Sequence, residues 1–506
     1  MRNTFHPEGG PKETQGVKKT ARQLDATPQI ALNQFAAILD SLLTPTTNVW
    51  HEIKSDNEHI NNDREATLWF QALNRELFRQ RYAPTANFAS QNQLQYKGLG
   101  AWGTGMMFVD GQTDGRGLRY KNIFIGEIYV RENHQGVIDT ACRYYSIPGY
   151  KVTKMFKEHE LPTDLWNDAS DHPERLFEFI TMYEPNLQLD PGRQDFRGKA
   201  WSSITISVNR NWLVREGGYH TFPFAGSRYE QAPNEIYGRS PAMMALPAIR
   251  TLQSEKSVML KQGHRAVDPV LLTHDEGVLD GFSLTPGAAN PGGVTHDGKL
   301  LVQTLPVGDV NLGLEMMDQE RSIINSAFLV NLFELLMDTP RMTATEVIER
   351  VSQRGILLAP TLGRQQSEYL GPLVDREIDV LTDQGLVGPM PEILKEARGE
   401  YTLAYNNPLS RTMRAEEAAG IIRTLESVLP IIQTTGDPAP LDNFDMDTIT
   451  RDVSEIQAVP RHWMNSLEKV EEIRAGRAAA AEREAASAEA PGEAALMNAE
   501  TKRGQA

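Results

Sequence analysis

Cysteine is nearly absent. Cys142 is the single one in 506 residues, which excludes an internal disulfide framework and a cysteine-based zinc site. Long apolar runs are absent as well. No stretch reaches the about 18 uncharged apolar residues of a membrane span, and the opening MRNTFHPEGGPKETQGVKKT lacks the apolar core of a signal peptide. These gaps lead to the expectation of a soluble chain made in a reducing cytoplasm. Positive charge is the third shortage. Lys and Arg number 51 against 67 Asp and Glu, for a net charge of −16. A protein that grips DNA through its phosphates normally carries a basic face. This chain either leaves nucleic acid alone or handles it without gripping.

The local signatures of common chemistries are missing or broken. His51-Glu52-Ile53-Lys54-Ser55 and His159-Glu160-Leu161-Pro162-Thr163 begin like H-E-x-x-H zinc helices. Neither has the second histidine, and Pro162 would disrupt the second helix. There is no P-loop: Gly10 and Gly16 stand one residue too far apart, and Val17 sits where lysine is required. Asp442, Asp445 and Asp447 in DNFDMD lack the spacing and glycine of an EF-hand loop, and read better as caps before a helix near 448. No G-x-S-x-G elbow occurs. Paired catalytic carboxylates leave no local signature, so an enzyme stays open on these grounds alone. No cofactor and no metal are expected.

What is present includes KGLGAWGTGMMFVD, where Gly98, Gly100 and Gly103 spell G-x-G-x-x-G. That fingerprint binds a dinucleotide only when a strand precedes it and a helix begins at it. Here the flanks run the other way. Asp63 is a good N-cap, and Leu68, Trp69, Ala72, Leu73, Glu76 and Leu77 follow helical spacing. A second helical stretch, FASQNQLQYKGLG, leads into the glycines, and MMFVD behind them reads as a strand. The glycines are therefore expected to permit positive φ and close packing where a helix end meets a sheet.

Along the chain, residues 1–27 are polar and read as a flexible tail. Residues 28–110 are helical in pattern. From 106 to about 230 come β-like runs such as KNIFIGEIYVREN, GVIDTACRYYSI, RLFEFITMYEP and SSITISVNRNWLVREGGY, interrupted by a short helix, KVTKMFKEH. This predicts an α/β body with a largely antiparallel sheet. Helical periodicity returns over 241–267. A Gly/Pro-punctuated segment with short strands follows, and a second helix starts near Val310 with Met317, Ile324, Phe328, Leu332 and Leu335 on one face. A strand-rich insert thus sits between two helices, at the tip of a stalk if they pack antiparallel. Residues 343–385 read as a long helical stretch, with Pro360 and Gly371-Pro372 expected to kink or interrupt it. EYTLAYNNPLS is one more strand, the segments from 413 to about 475 are helical, and the Ala/Glu-rich end is a marginal helix fraying into disorder. No internal repeat is present.

This order, with LGAWGTGMMFV, EGGYHTFPFAGSRYE, EIYGRSPAMMALPAIRTL, MTATEVIERVSQRGILLAPTLGR, PLVDREIDVLTDQGLVGPMP, YNNPLSRTMRAEE and the DNFDMD…AVPRHWMNSLEKVEEIRAGR ending, resembles the head-to-tail connector (portal) proteins of short-tailed, podovirus-type phages. The resemblance covers about residues 30–480. It implies an α+β portal-type subunit: wing 28–235, first stem helix 236–267, clip 268–310, second stem helix 311–336, tunnel loop 337–342, a kinked wing helix and returning strand 343–410, crown 411–475 and tail 476–506. It also implies a ring, commonly of twelve copies, at one capsid vertex, through which double-stranded DNA is packaged and ejected. Terminase, a tail or adaptor protein, and the major capsid and scaffolding proteins are the implied partners. No membrane contact is expected in the folded ring, which resides in the virion and, during assembly, in the host cytoplasm. The portal itself does not hydrolyse ATP. The alternatives are another virion part (an adaptor or tail-tube protein) and a nucleotide-dependent enzyme.

The acidic balance then suits a conduit, since many basic contacts would hold DNA tightly and ring symmetry multiplies every charge. Glu315, Asp318 and Glu320 are the stem acids expected to line the channel; the plainer alternative is a solvated outer surface. Asp275, Glu276 and Asp297 are expected to contact partners from the turn-rich clip. Met337-Asp338-Thr339-Pro340-Arg341-Met342 is the expected tunnel loop. Pro340 stops the second stem helix, and Thr343 with Glu346 forms a capping box that restarts one. Arg341 offers one positive charge per subunit, with Asp338 limiting its grip. The alternative is an ordinary helix connector with Arg341 paired to a neighbour.

Overall fold

The computed structural model describes residues 23–46, 49–57, 60–61, 63–112, 115–273, 283, 285–291, 293–305, 310–331, 361, 363–396, 401–405 and 443–456, with short pieces within 420–430 and 465–480. The chain divides into two compact units, Met1–Met413 and Arg414–Ala506.

In the first unit, helix α1 (Thr27–Leu43) starts on a proline in its first turn and buries Ala31, Leu32, Phe35, Ala36 and Leu39, a spacing of three and four residues. A short strand, β1 (His51–Lys54), follows. It lies inside the stretch whose pattern reads as helical throughout. Helix α2 (Arg64–Arg81) begins where the sequence indicates, with the Asp63 carboxylate accepting the Ala66 N–H at 2.9 Å. Helix α3 (Phe88–Trp102) ends on Gly103, whose φ of +79° suits glycine, and β2 (Thr104–Gly111) leaves at once. The order is helix, turn, strand, as read. Gly98 and Gly100 lie within the helix rather than in the turn, so only Gly103 serves the turn itself.

Strand β2 is the centre of a three-stranded sheet, between β3 (Leu118–Ile123) and β9 (Phe224–Arg228). A second, larger sheet is a five-stranded meander of β4 (Ile128–Glu132), β5 (Ile138–Pro148), β6 (Leu176–Pro185), β7 (Trp201–Ser207) and β8 (Trp212–Tyr219), in chain order. All these pairs are antiparallel. Two short helices, α4 (Gly149–Met155) and α5 (Thr163–Asp171), join β5 to β6 and bury Val152, Leu165 and Ala169 with Phe177 and Phe179. Helix and sheet are mixed, as expected of an α+β chain.

Helix α6 (Pro241–Val267) has the bounds the helical periodicity gives it, but the first stem helix expected from 236 starts five residues later, because the chain is non-helical up to its cap at Ser240, whose hydroxyl accepts the Met243 N–H at 3.0 Å. Strands β10 (Leu271–Thr273) and β11 (Val302–Thr304) pair antiparallel beyond it, and α7 (Val310–Ala327) returns. The expected single helix over 311–336 needs correction. It breaks after Ala327, in a turn where Leu329 takes φ +61° and its N–H reaches the Ser326 carbonyl at 3.0 Å. Phe328 stays fully buried in that turn, packed edge-on against Phe35, so the apolar face carries through the break; Val330 and Asn331 are helical again, and 332–336, with Leu332 and Leu335, lie outside the described residues.

Gly371-Pro372 widens its helix rather than breaking it. Residues Gln365–Leu370 form a π turn, with the Gly371 N–H bonded to the Gln366 carbonyl, and α8 (Gly371–Asp383) continues from it. Pro372 has no N–H, and its ring would meet the carbonyl four residues back; the wider turn removes that clash. A short α9 (Glu392–Glu396) and β12 (Thr402–Tyr405) follow, and β12 pairs antiparallel with β1. In the second unit, α10 (Met446–Ile456) starts at Asp445, whose carboxylate accepts the Asp447 and Thr448 N–H groups. Of the three aspartates read as helix caps, Asp445 caps the helix, Asp447 lies in its first turn, and Asp442 lies outside the described residues.

Candidate functional site: a helix pair with a strand-rich tip

The glycine run positions α6. A Cβ on Gly103 would lie 2.1 Å from the Gly238 carbonyl, and a Cβ on Gly238 would lie 2.1 Å from the Gly103 carbonyl, so two backbones touch where only glycines fit. The Gly238 N–H donates to the Thr104 hydroxyl at 2.8 Å, and the Ser240 hydroxyl donates to the Ala101 carbonyl at 3.0 Å. The α3–β2 corner is thus the socket for the start of α6. It presents the carbonyl end of α3, which is the wrong pole of a helix for a phosphate. Gly100 lets α3 approach α1, since a Cβ there would meet Leu32 and Phe35 at 2.7 and 2.8 Å.

Helices α6 and α7 pack side by side and run antiparallel. Gly313 lies against Met259, while Glu320 stands near Glu255. The segment before α1 ties them together. Gln253 on α6 accepts the Leu24 and Asp25 N–H groups and donates to the Asp25 carbonyl, and Arg321 on α7 donates to the Asp25 carboxylate at 2.7 Å. Burial opposes the charge on Asp25. The bonds from Thr27 and Arg321 outweigh it and hold the carboxyl below its ordinary value. The tail boundary at 27 is therefore too late: Asp25 is buried and held.

At the tip, Leu271 pairs with Thr304, Leu272 with Gln303 and Thr273 with Val302. Val294 and Leu300 form a further bridge, closed by a turn through Gly298 at φ +80°. Val270, Leu272, Val294, Leu300 and Leu305 are all exposed, so the described part of the tip is a small two-stranded structure with apolar side chains turned outward. Asp297 is exposed in that turn. Asp275 and Glu276 lie outside the described residues, as does the whole of 337–342, so Met337, Asp338, Thr339, Pro340, Arg341 and Met342 carry no structural account. Of the three stem acids, Glu315 and Asp318 are exposed and Glu320 is half-buried beside α6. The structure does not bring them together on one line: Asp318 binds Arg321 at 2.7 Å, and Glu320 turns toward Glu255.

A buried ionic cluster escapes the sequence reading. Arg81 and Glu377 are fully buried and ion-paired, and the Tyr120 hydroxyl donates to Glu377 at 2.6 Å. The Arg81 guanidinium lies 4.5 Å from the Trp50 ring centre. His51 is buried next to it, with neither ring nitrogen hydrogen-bonded among the described residues. Burial, and then the nearby Arg81 charge, push His51 well below its ordinary value. A lone arginine near a helix end gives no sequence signal for such a pair. Among the described residues no group of three His, Cys, Asp or Glu is placed to hold a metal, and none of the helices is long and apolar enough to cross a membrane. Burial raises the Cys142 thiol.

Comparison with known proteins gives a consistent result. Residues 1–464 match the family described as bacteriophage head to tail connecting protein. The portal protein of Salmonella phage epsilon15 is 26% identical over 517 residues, covering 98% of this chain and 90% of that protein. A probable portal protein of Bordetella phage BPP-1 is 25% identical over 448 residues, covering 85% of this chain and 78% of that protein.

Proposed function

The chain belongs to the bacteriophage head to tail connecting protein family, and from that premise we propose that it forms the ring-shaped portal channel of a short-tailed phage. It is a structural component of the head-to-tail junction and not an enzyme. The reading is carried by the near full-length match to a portal protein. The helix pair with its strand-rich tip, α6 to α7, supports it, because a stalk rooted in an α/β body suits a channel subunit better than a tail-tube subunit.

In this reading about twelve copies close into a ring at one capsid vertex, double-stranded DNA passes through it, and terminase and then a tail or adaptor protein dock on it. The tip would bear those partners, since it is exposed and turn-rich. Substitution at Asp275, Glu276 and Asp297 should weaken terminase or adaptor binding while rings still form. Residues 337–342 would form the loop nearest the DNA. Replacing Asp338–Arg341 by a Gly-Ser linker should leave assembly intact and impair packaging or retention; normal packaging would end that assignment. The direct test of the whole reading is electron microscopy of the purified protein. Rings with a central channel are expected, and a monodisperse monomer at high concentration would refute it.

A further inference from the structure

The outward faces of α6 and α7 carry opposite charge. On α6, Arg250, Ser254, Lys261 and Arg265 recur at helical spacing on the side away from the buried Ala245, Ile249 and Leu252. All four are exposed, and among the described residues the three cations form no ion pair. Exposed Met243, Met244 and Val258 flank them, and the upper end opens into a shallow groove with Ile236 and Tyr237.

On α7, the side away from the buried Met317, Ile324 and Phe328 carries Glu315, Gln319 and Ser322 between exposed Leu312 and Ile323, with Asp318 beside them. Glu315 has no ion pair among the described residues. The antiparallel packing sets the levels. Glu315 and Asp318 stand between the Met259 and Glu255 levels of α6, with Lys261 and Arg265 to one side and Arg250 to the other. Glu255 has a buried carboxylate oxygen without a hydrogen-bond partner, close to Glu320. Glu255 and Glu320 thus face each other in the seam between the two helices.

We propose that the basic face of α6 in one copy docks on the acidic face of α7 in the next. The proposal rests on the reading of the chain as a ring subunit and says which surfaces close that ring. The two patches differ, so the contact is head-to-tail, the type that generates rings. Burying Val258, Leu312 and Ile323 drives adhesion, and the charges fix register and reject wrong pairings. Glu315 and Asp318 then lie between subunits rather than along the channel.

The test is a charge swap. One variant carries Lys261→Glu and Arg265→Glu, a second carries Glu315→Lys and Gln319→Lys, and a third carries all four. Gln319 is used because Asp318 holds Arg321, which also clamps Asp25. Sedimentation and electron microscopy read the assembly, and circular dichroism reads the fold. Each two-residue variant should assemble at least about tenfold more weakly, the equivalent of one such pair; the four-residue variant should recover rings. Intact rings in both two-residue variants, or no recovery in the combined one, would overturn the proposal. So would an α6 variant that keeps its rings but loses DNA, since its cations would then face the duplex. A wild-type chain that forms no ring refutes the ring reading itself, whereas wild-type rings with indifferent variants refute only this assignment. If a reversed pair lowers helix content, Lys261→Gln with Arg265→Gln replaces it. The same weakening is expected there, and unchanged assembly counts against the proposal.

Discussion

Arg81 and Glu377 sit where water does not reach, so removing one partner strands a charge. Glu377→Ala is expected to cost about 3–5 kcal/mol, read as a lowered urea midpoint. Arg81→Met with Glu377→Leu and Tyr120→Phe should regain most of it, because an apolar cluster of similar volume needs no compensation. A triple variant as weak as the single one would refute this account. His51 gives a pH-dependent counterpart. Its folded value lies well below 6.5, so below that pH the unfolded chain takes up a proton that the folded chain refuses. Stability is therefore complete above about pH 6.5 and falls as the pH drops toward the folded value. His51→Phe, which keeps the ring packing against Trp50 and Phe78, should flatten the slope of melting temperature below pH 6.5. An unchanged slope would assign the acid sensitivity elsewhere.

Among the elements, glycines separate packing from propensity. Gly263, inside α6, has nothing near its would-be Cβ, so Gly263→Ala should stabilise by about 0.5–1 kcal/mol. Gly103→Ala should destabilise by at least about 2 kcal/mol, from positive φ and from collision with Gly238. Thermal melts of the two variants would test the contrast, and equal shifts would contradict it. The same elements show what a sequence discloses. Helix α6 is legible because its apolar spacing is a local signal, although the stem-helix boundary at 236 runs five residues ahead of the true start at Pro241. The glycine corner is legible as a turn, but its partner Gly238 lies far along the chain. Strand β1 is not legible: among the described residues its four residues pair with β12 alone, and nothing around His51 announces a strand. The break at Leu329 is hidden because Phe328 keeps the helical spacing outside a regular helix. The helix pair of the candidate site is thus readable from local pattern. Its clamp through Asp25 and the charge on its two outward faces emerge only once distant segments meet.

At the scale of the whole molecule, the proposed contact between copies is electrostatic in its selectivity, so assembly should weaken as salt rises from 0.1 to 1 M. Ring fraction by sedimentation at fixed protein concentration measures it, and salt-independent rings would point to apolar burial alone. The pairing of β1 with β12 bears on a different matter, the order of events at the ribosome. Thr402 bonds to Asp56 across 346 positions, and Arg81 meets Glu377 across 296. At synthesis rates of about 5–20 residues per second, β1 waits roughly 20–70 s for its partner strand to be made. During that interval Ile53 and a bare strand edge stand open to other nascent chains, and Arg81 awaits its carboxylate. The body that roots α6 and α7 is sealed only after both helices have been translated. Completion of the fold is thereby tied to near completion of the chain, and a message cut short before residue 401 yields a polypeptide with its stalk made and its base unfinished.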